Sequence, residues 1–126
     1  MSTAYEMMHN ANPNALIGQE GPYIVMIEHV TDPDGRMYNM EYQSTHDGHG
    51  AVAYCRYNPW SRSGKPQAGE DLLDCHVFSD GLICMGDDHS ATPSDSPHNL
   101  QTVINRARFW CTAFSVFKET RHFPNP

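Results

Sequence analysis

Positive charge is what this chain has least of. Its 126 residues carry 8 Lys and Arg against 15 Asp and Glu, a formal charge of −7 with histidine neutral. The cations are scattered, so the clustered basic patch that a phosphate backbone requires is missing, and no nucleic-acid partner is expected. The acidic excess is read first as a solubility surface. No apolar run approaches the roughly 18 residues that cross a bilayer, and no basic stretch leads into an apolar one near Met1. These absences predict no membrane partner, no export and a cytoplasmic setting. The four cysteines, Cys55, Cys75, Cys84 and Cys111, are then expected as reduced thiols. Neither Cys-x-x-Cys nor His-x-x-x-His occurs, and structural zinc sites usually show such local pairs. Cys75, His76, Cys84 and His89 share one region, but a small zinc-binding domain is the least favoured reading, and no cofactor or metal is expected. Gly64-Lys65-Pro66 lacks the frame of a phosphate loop.

What the chain does have is enough apolar material for a core of its own. At 39 % hydrophobic and 18 % charged residues it reads as one globular domain over 1–126. Its nine prolines and nine glycines cluster between 12 and 22 and between 58 and 97, which predicts long ordered loops. Residues 1–20 hold at most a one- to two-turn helix. Residues 21–30 are rich in β-branched side chains and predict a strand, closed by the turn Thr31-Asp32-Pro33-Asp34-Gly35. Residues 36–45 alternate Met37, Asn39 and Glu41 against Tyr38, Met40 and Tyr42, a second strand paired to the first. His46-Asp47-Gly48-His49-Gly50 is the next turn, with both histidines read as exposed, and residues 51–57 form a third strand. Residues 58–71 are loop, 72–78 a short extended segment, and 87–97 loop again. Ser96 is placed as an N-cap with Pro97 at the first helical position. A helix follows from about 97 to 120, because Leu100, Val103, Ile104, Ala107, Trp110, Cys111, Phe114 and Phe117 recur at threes and fours. Trp110 and its aromatic neighbours are read as core. The whole is an α+β domain: an antiparallel four-stranded meander, a short N-terminal helix and a long C-terminal helix.

The residues with chemistry in them centre on His76-Val77-Phe78-Ser79-Asp80-Gly81-Leu82-Ile83-Cys84-Met85. Ser-Asp-Gly predicts a turn. Leu82 and Ile83 then anchor the chain inward, which leaves Cys84 where the backbone emerges toward Gly86-Asp87-Asp88-His89. The residues alone leave Cys84 open between a presented nucleophile and an ordinary semi-buried thiol. Its sequence neighbours include the carboxylates Asp80, Asp87 and Asp88 rather than a cation, which argues against a hydrolase-type activated thiolate. It suits a cysteine that receives an already activated acyl group and passes it on. A Cys-His-Asp hydrolase would need a histidine from elsewhere and a larger cleft. His76 is read as ordering the turn or acting as a base. Asp87 and His89 are the candidates for meeting an incoming nucleophile.

The order of elements, together with two segments, resembles the ubiquitin-conjugating (UBC) fold, in particular the compact bacterial ubiquitin-conjugating-like proteins of antiphage (CBASS) and ubiquitin-like-modification operons. His76 to Met85 is similar to the family's H-V-(Y/F)-x-D-G-x-(I/L)-C-L segment. Trp110 to Pro124 is similar to the bacterial W-x-x-x-(Y/F)-x-x-(Y/F)-x-x-T-x-x-W-P ending. The resemblance implies a transferase whose Cys84 carries a protein C-terminus as a thioester and hands it to a target lysine. Its donor would be a cGAS-like nucleotidyltransferase or a ubiquitin-like protein; the N-terminal helix, which in relatives docks the activating enzyme, is short here, so that upstream partner stays open. His76 would be the second catalytic residue and Asp87 and His89 would orient the lysine. The eukaryotic relatives carry His-Pro-Asn upstream of the cysteine, where this chain reads His76-Val77-Phe78. The oxyanion donor is therefore unassigned, with backbone amides near Cys84 as candidates. The alternative on the same resemblance is a catalytically silent UBC-like module that only binds partners.

Overall fold

A computed structural model describes residues 3–86 and 90–124 of the chain. The chain opens with α1, Ala4–Ala11, whose first turn is capped by the Thr3 hydroxyl accepting from the Glu6 amide. Four antiparallel strands follow in the order of the chain: β1 Leu16–Glu20, β2 Tyr23–Thr31, β3 Met37–Ser44 and β4 Ala51–Tyr57. Tyr38, Met40 and Tyr42 alternate into the core with no exposed surface, opposite Val30, Glu28 and Met26 of β2, so the pattern read from the sequence holds. The β2–β3 turn is fixed by Asp32, which accepts from the amides of Asp34 and Arg36 through one carboxylate oxygen. A one-turn helix, α2 (Leu72–Cys75), precedes the cysteine turn, and a 3-10 turn at Pro93–Asp95 precedes the long α3, Leu100–Thr120.

Helix α3 crosses the inner face of the sheet and buries Val103, Ile104, Ala107, Trp110, Cys111 and Phe114 there. Trp110 meets Tyr38 edge-on at 6.0 Å, and Phe114 meets Trp60 edge-on at 5.9 Å. Three buried carboxylates then fix the helix. Glu28 accepts from Arg108 Nε at 3.1 Å and Nη2 at 2.8 Å, from the Tyr42 hydroxyl and from Asn12. Burial alone would raise the Glu28 pKa, but the bonds from Arg108, Tyr42 and Asn12 outweigh it and hold the carboxyl below its usual range. Asp32 accepts from Ser115, which in turn bonds the Tyr38 hydroxyl, and it too stays below the usual range against the effect of burial. Glu70 is paired with Lys118.

Three segments depart from the sequence reading. Strand β1 lies within a stretch read as holding only a short helix. Residues 72–78 are extended only at their end, where Val77 bridges Ile83; before it Asp71 caps the Asp74 amide, α2 forms, and His76 ends it in the left-handed region at φ 55°. Helix α3 starts at Leu100 with Asn99 as its cap, accepting from Thr102, and not at Pro97 after Ser96. The reason is local competition. The Ser96 amide closes the 3-10 turn on Pro93 and its hydroxyl accepts from the His98 amide, while the His98 carbonyl bonds the Ala51 amide of β4. Residues 96–98 are thus held to the sheet. Among the described residues, no helix is long and apolar enough to cross a membrane.

Candidate functional site

The cysteine turn is a small hairpin docked on the open edge of β4. The Phe78 amide donates to Leu82 and the Gly81 amide to Phe78, while the Asp80 carboxylate accepts from the Leu82 amide. The Cys55 amide reaches the Gly81 carbonyl at 2.8 Å and the Ile83 amide reaches Ala53 at 2.9 Å, which makes Leu82–Ile83 a short continuation of the sheet. Glycine is required at 81: its φ is +93°, and a Cβ there would lie 2.6 Å from the Cys55 carbonyl oxygen. Leu82 and Ile83 are buried, as the sequence reading expects. Cys84 follows them, its amide donating to the His76 carbonyl at 2.9 Å and its thiol lying 3.5 Å from the Gly86 carbonyl.

The four thiols differ sharply. All are free; Cys55, Cys75 and Cys111 are buried, and Cys84 is half-exposed. Burial pushes the Cys55 thiol up to about 11 and, with Glu70 and Asp74 nearby, the Cys75 thiol up to about 12. Burial also places Cys111 well above the ordinary range. Three of the four are therefore packing groups at neutral pH.

Cys84 opens on a cleft of about 370 Å³ between the cysteine turn and α3. His76, Ile83 and Met85 share its wall with the thiol. Arg106, Phe109 and Trp110 face them from the helix, and Phe123 and Pro124 close one end. Two bonds from α3 fix the flanks of the turn. The Trp110 indole donates to the Cys75 carbonyl at 2.8 Å, and Arg106 Nη1 donates to the Met85 carbonyl at 2.6 Å.

His76 joins Cys84 in this cleft, as the sequence suggests. It orders the turn through its backbone carbonyl, while its ring packs on Phe123 at a centroid distance of 4.6 Å. Asp87 and His89 lie outside the described residues, as does Asp88. Asp80 is exposed and serves the turn itself. The backbone amide of Cys84, a candidate oxyanion donor, is occupied by His76. Among the described residues, no three of His, Cys, Asp and Glu gather as metal ligands. Sequence reasoning missed Arg106, Phe109 and Phe123. The signal for the first two was the spacing 106, 109, 110, which puts an arginine and a phenylalanine on the flank that Trp110 turns toward the cysteine. No family model, curated protein or solved structure matches the chain.

Proposed function

We propose that this chain is a ubiquitin-conjugating-like acyl carrier of the UBC fold, with Cys84 as the nucleophile. The observation that carries the reading is the placement of Cys84: it is the one thiol of the four that is not buried, and it stands at the lip of an apolar cleft. The element order supports it, since a short helix, a four-stranded meander, a cysteine turn and a long Trp-bearing helix follow one another as the resemblance requires.

In this reading the thiolate attacks an activated C-terminal carbonyl and the C-terminus is held as a thioester. A lysine amine of the target then displaces Cys84. His76 keeps the Cys84 amide and hence the thiol in register; Asp87 and His89 stand next in the chain to receive the lysine. The donor is a cGAS-like nucleotidyltransferase or a ubiquitin-like protein, delivered by an activating enzyme, in a cytoplasmic antiphage (CBASS) setting that keeps the thiols reduced. Incubation with donor and activating enzyme should give an adduct released by thiols, and Cys84→Ser should abolish it or convert it to a thiol-stable ester. An adduct indifferent to that substitution refutes the reading. Iodoacetamide on the folded protein should label Cys84 ahead of Cys55, Cys75 and Cys111, because burial shields those three and holds them as thiols.

A further inference from the structure

Acyl transfer to a thiolate turns a carbonyl oxygen into an oxyanion, and that charge needs a donor within reach of the cysteine. The Cys84 amide is committed to the His76 carbonyl, so it does not supply one. Of the other side chains on the cleft walls, Ile83, Met85, Phe109 and Phe123 have no N–H or O–H to give, the Trp110 N–H is committed to Cys75, and the His76 ring is packed on Phe123 at the end of the cleft. Arg106 is the exception. Among the described cleft residues it is the one side chain charged at every working pH, and Nη1 is fixed on the carbonyl of Met85, the residue next to Cys84. A guanidinium has five N–H groups in a planar fork, so a bond to Met85 leaves others to donate into the cleft.

We infer that Arg106 is the oxyanion donor of this site, in the role left open by the absence of an asparagine before the cysteine turn. The inference rests on Cys84 being the acyl-carrying nucleophile. The Cys84 thiolate forms a C–S bond to the carbonyl carbon of the incoming thioester, and the carbonyl π pair moves onto oxygen. An Arg106 N–H bonds that oxyanion. The pair then returns to re-form the carbonyl, the original C–S bond breaks, and the leaving thiolate departs with its electrons and takes a proton from solvent. In the lysine step the neutral amine forms the C–N bond, its extra proton passes to solvent, and the C–S bond breaks to leave an amide and the Cys84 thiolate. The site thus takes any acyl donor whose carbonyl oxygen can point at the helix.

Two electrophiles separate this role from simple support of the turn. Iodoacetamide alkylates a thiol without forming an oxyanion; the benzyl thioester of acetyl-phenylalanine acylates it through one. Intact-mass kinetics on the full chain would follow both at Cys84. Arg106→Gln should slow acylation by about 100-fold, the usual scale for losing one oxyanion donor, and leave alkylation within about twofold of the wild type. Arg106→Lys, which keeps a charge and a donor for Met85, should recover part of the acylation rate. Equal losses in both reactions would show that Arg106 only props the Met85 backbone, and unchanged acylation would dismiss it altogether. Either result overturns the inference while Cys84 acylation in the wild type leaves the proposed function standing. A wild-type chain that alkylates at Cys84 but takes no acyl group overturns both.

Discussion

The two sides of α3 are built on different terms. Toward the sheet and the loops that border it, Arg108, Ser115 and Lys118 each bond a buried carboxylate: Glu28, Asp32 and Glu70. Toward Cys84, Arg106 and Trp110 spend one bond apiece on backbone carbonyls and line an open cleft. The first side sets the position of the helix, since a buried carboxylate without its partners is costly. The second holds the two ends of the cysteine turn at fixed points and leaves the space between them unfilled. Stability and access are thus assigned to opposite flanks of one helix.

Breaking the first side should cost most. Arg108→Met removes the main partner of Glu28, whose side chain is 1 % exposed, and leaves a carboxylate held only by Tyr42 and Asn12. A loss of about 3 kcal/mol is expected from urea unfolding, with iodoacetamide labelling of Cys84 in the folded protein unchanged. A smaller effect of the same side is its response to acid. Glu28 and Asp32 have folded pKa values below their ordinary 4.5 and 3.8. The unfolded chain therefore binds more protons in the window beneath those values, and the stabilisation present at neutral pH is lost as pH falls through the folded values. Stability measured from pH 6 downward should be flat and then decline below about pH 4.5, and Glu28→Gln should flatten that decline. The smallest effect belongs to the cleft side. Phe123→Ala removes a ring that closes one end of the cleft and packs on His76, so about 1 kcal/mol of stability is expected to go while alkylation of Cys84 quickens. A stability loss matching that of Arg108→Met would erase the contrast between the flanks.

The parts of this fold legible in the sequence are those whose period is set by one large interface. Strand β3 reads correctly because Tyr38, Met40 and Tyr42 all face the same helix, and α3 reads correctly from Leu100 onward for the same reason. Strand β1 does not. It is an edge strand with one half-buried side chain of weight, Ile17, between exposed Leu16 and Gly18, so it carries no alternation to find. The start of α3 and the helical turn at Leu72–Cys75 were decided by single polar side chains, Asn99 and Asp71, in competition with equally plausible neighbours. The cysteine turn was legible because Asp80 and Gly81 dictate it locally. Its facing wall was not: Arg106, Phe109 and Phe123 reach Cys84 across 20 or more residues of chain, and spacing within a helix names a flank without naming what lies opposite.

Arg108 also bonds the Ala11 carbonyl, 97 residues away, and Glu28, 80 residues away. During synthesis, at about 5–20 residues per second, the meander emerges seconds before the helix that covers it. Until then Met26, Met40 and Tyr42 have no lid, and Glu28 has no counter-ion. The sheet therefore cannot settle strand by strand on the ribosome. Nascent chains stopped short of residue 108 should be captured by holding chaperones, and folding should begin when α3 clears the exit tunnel.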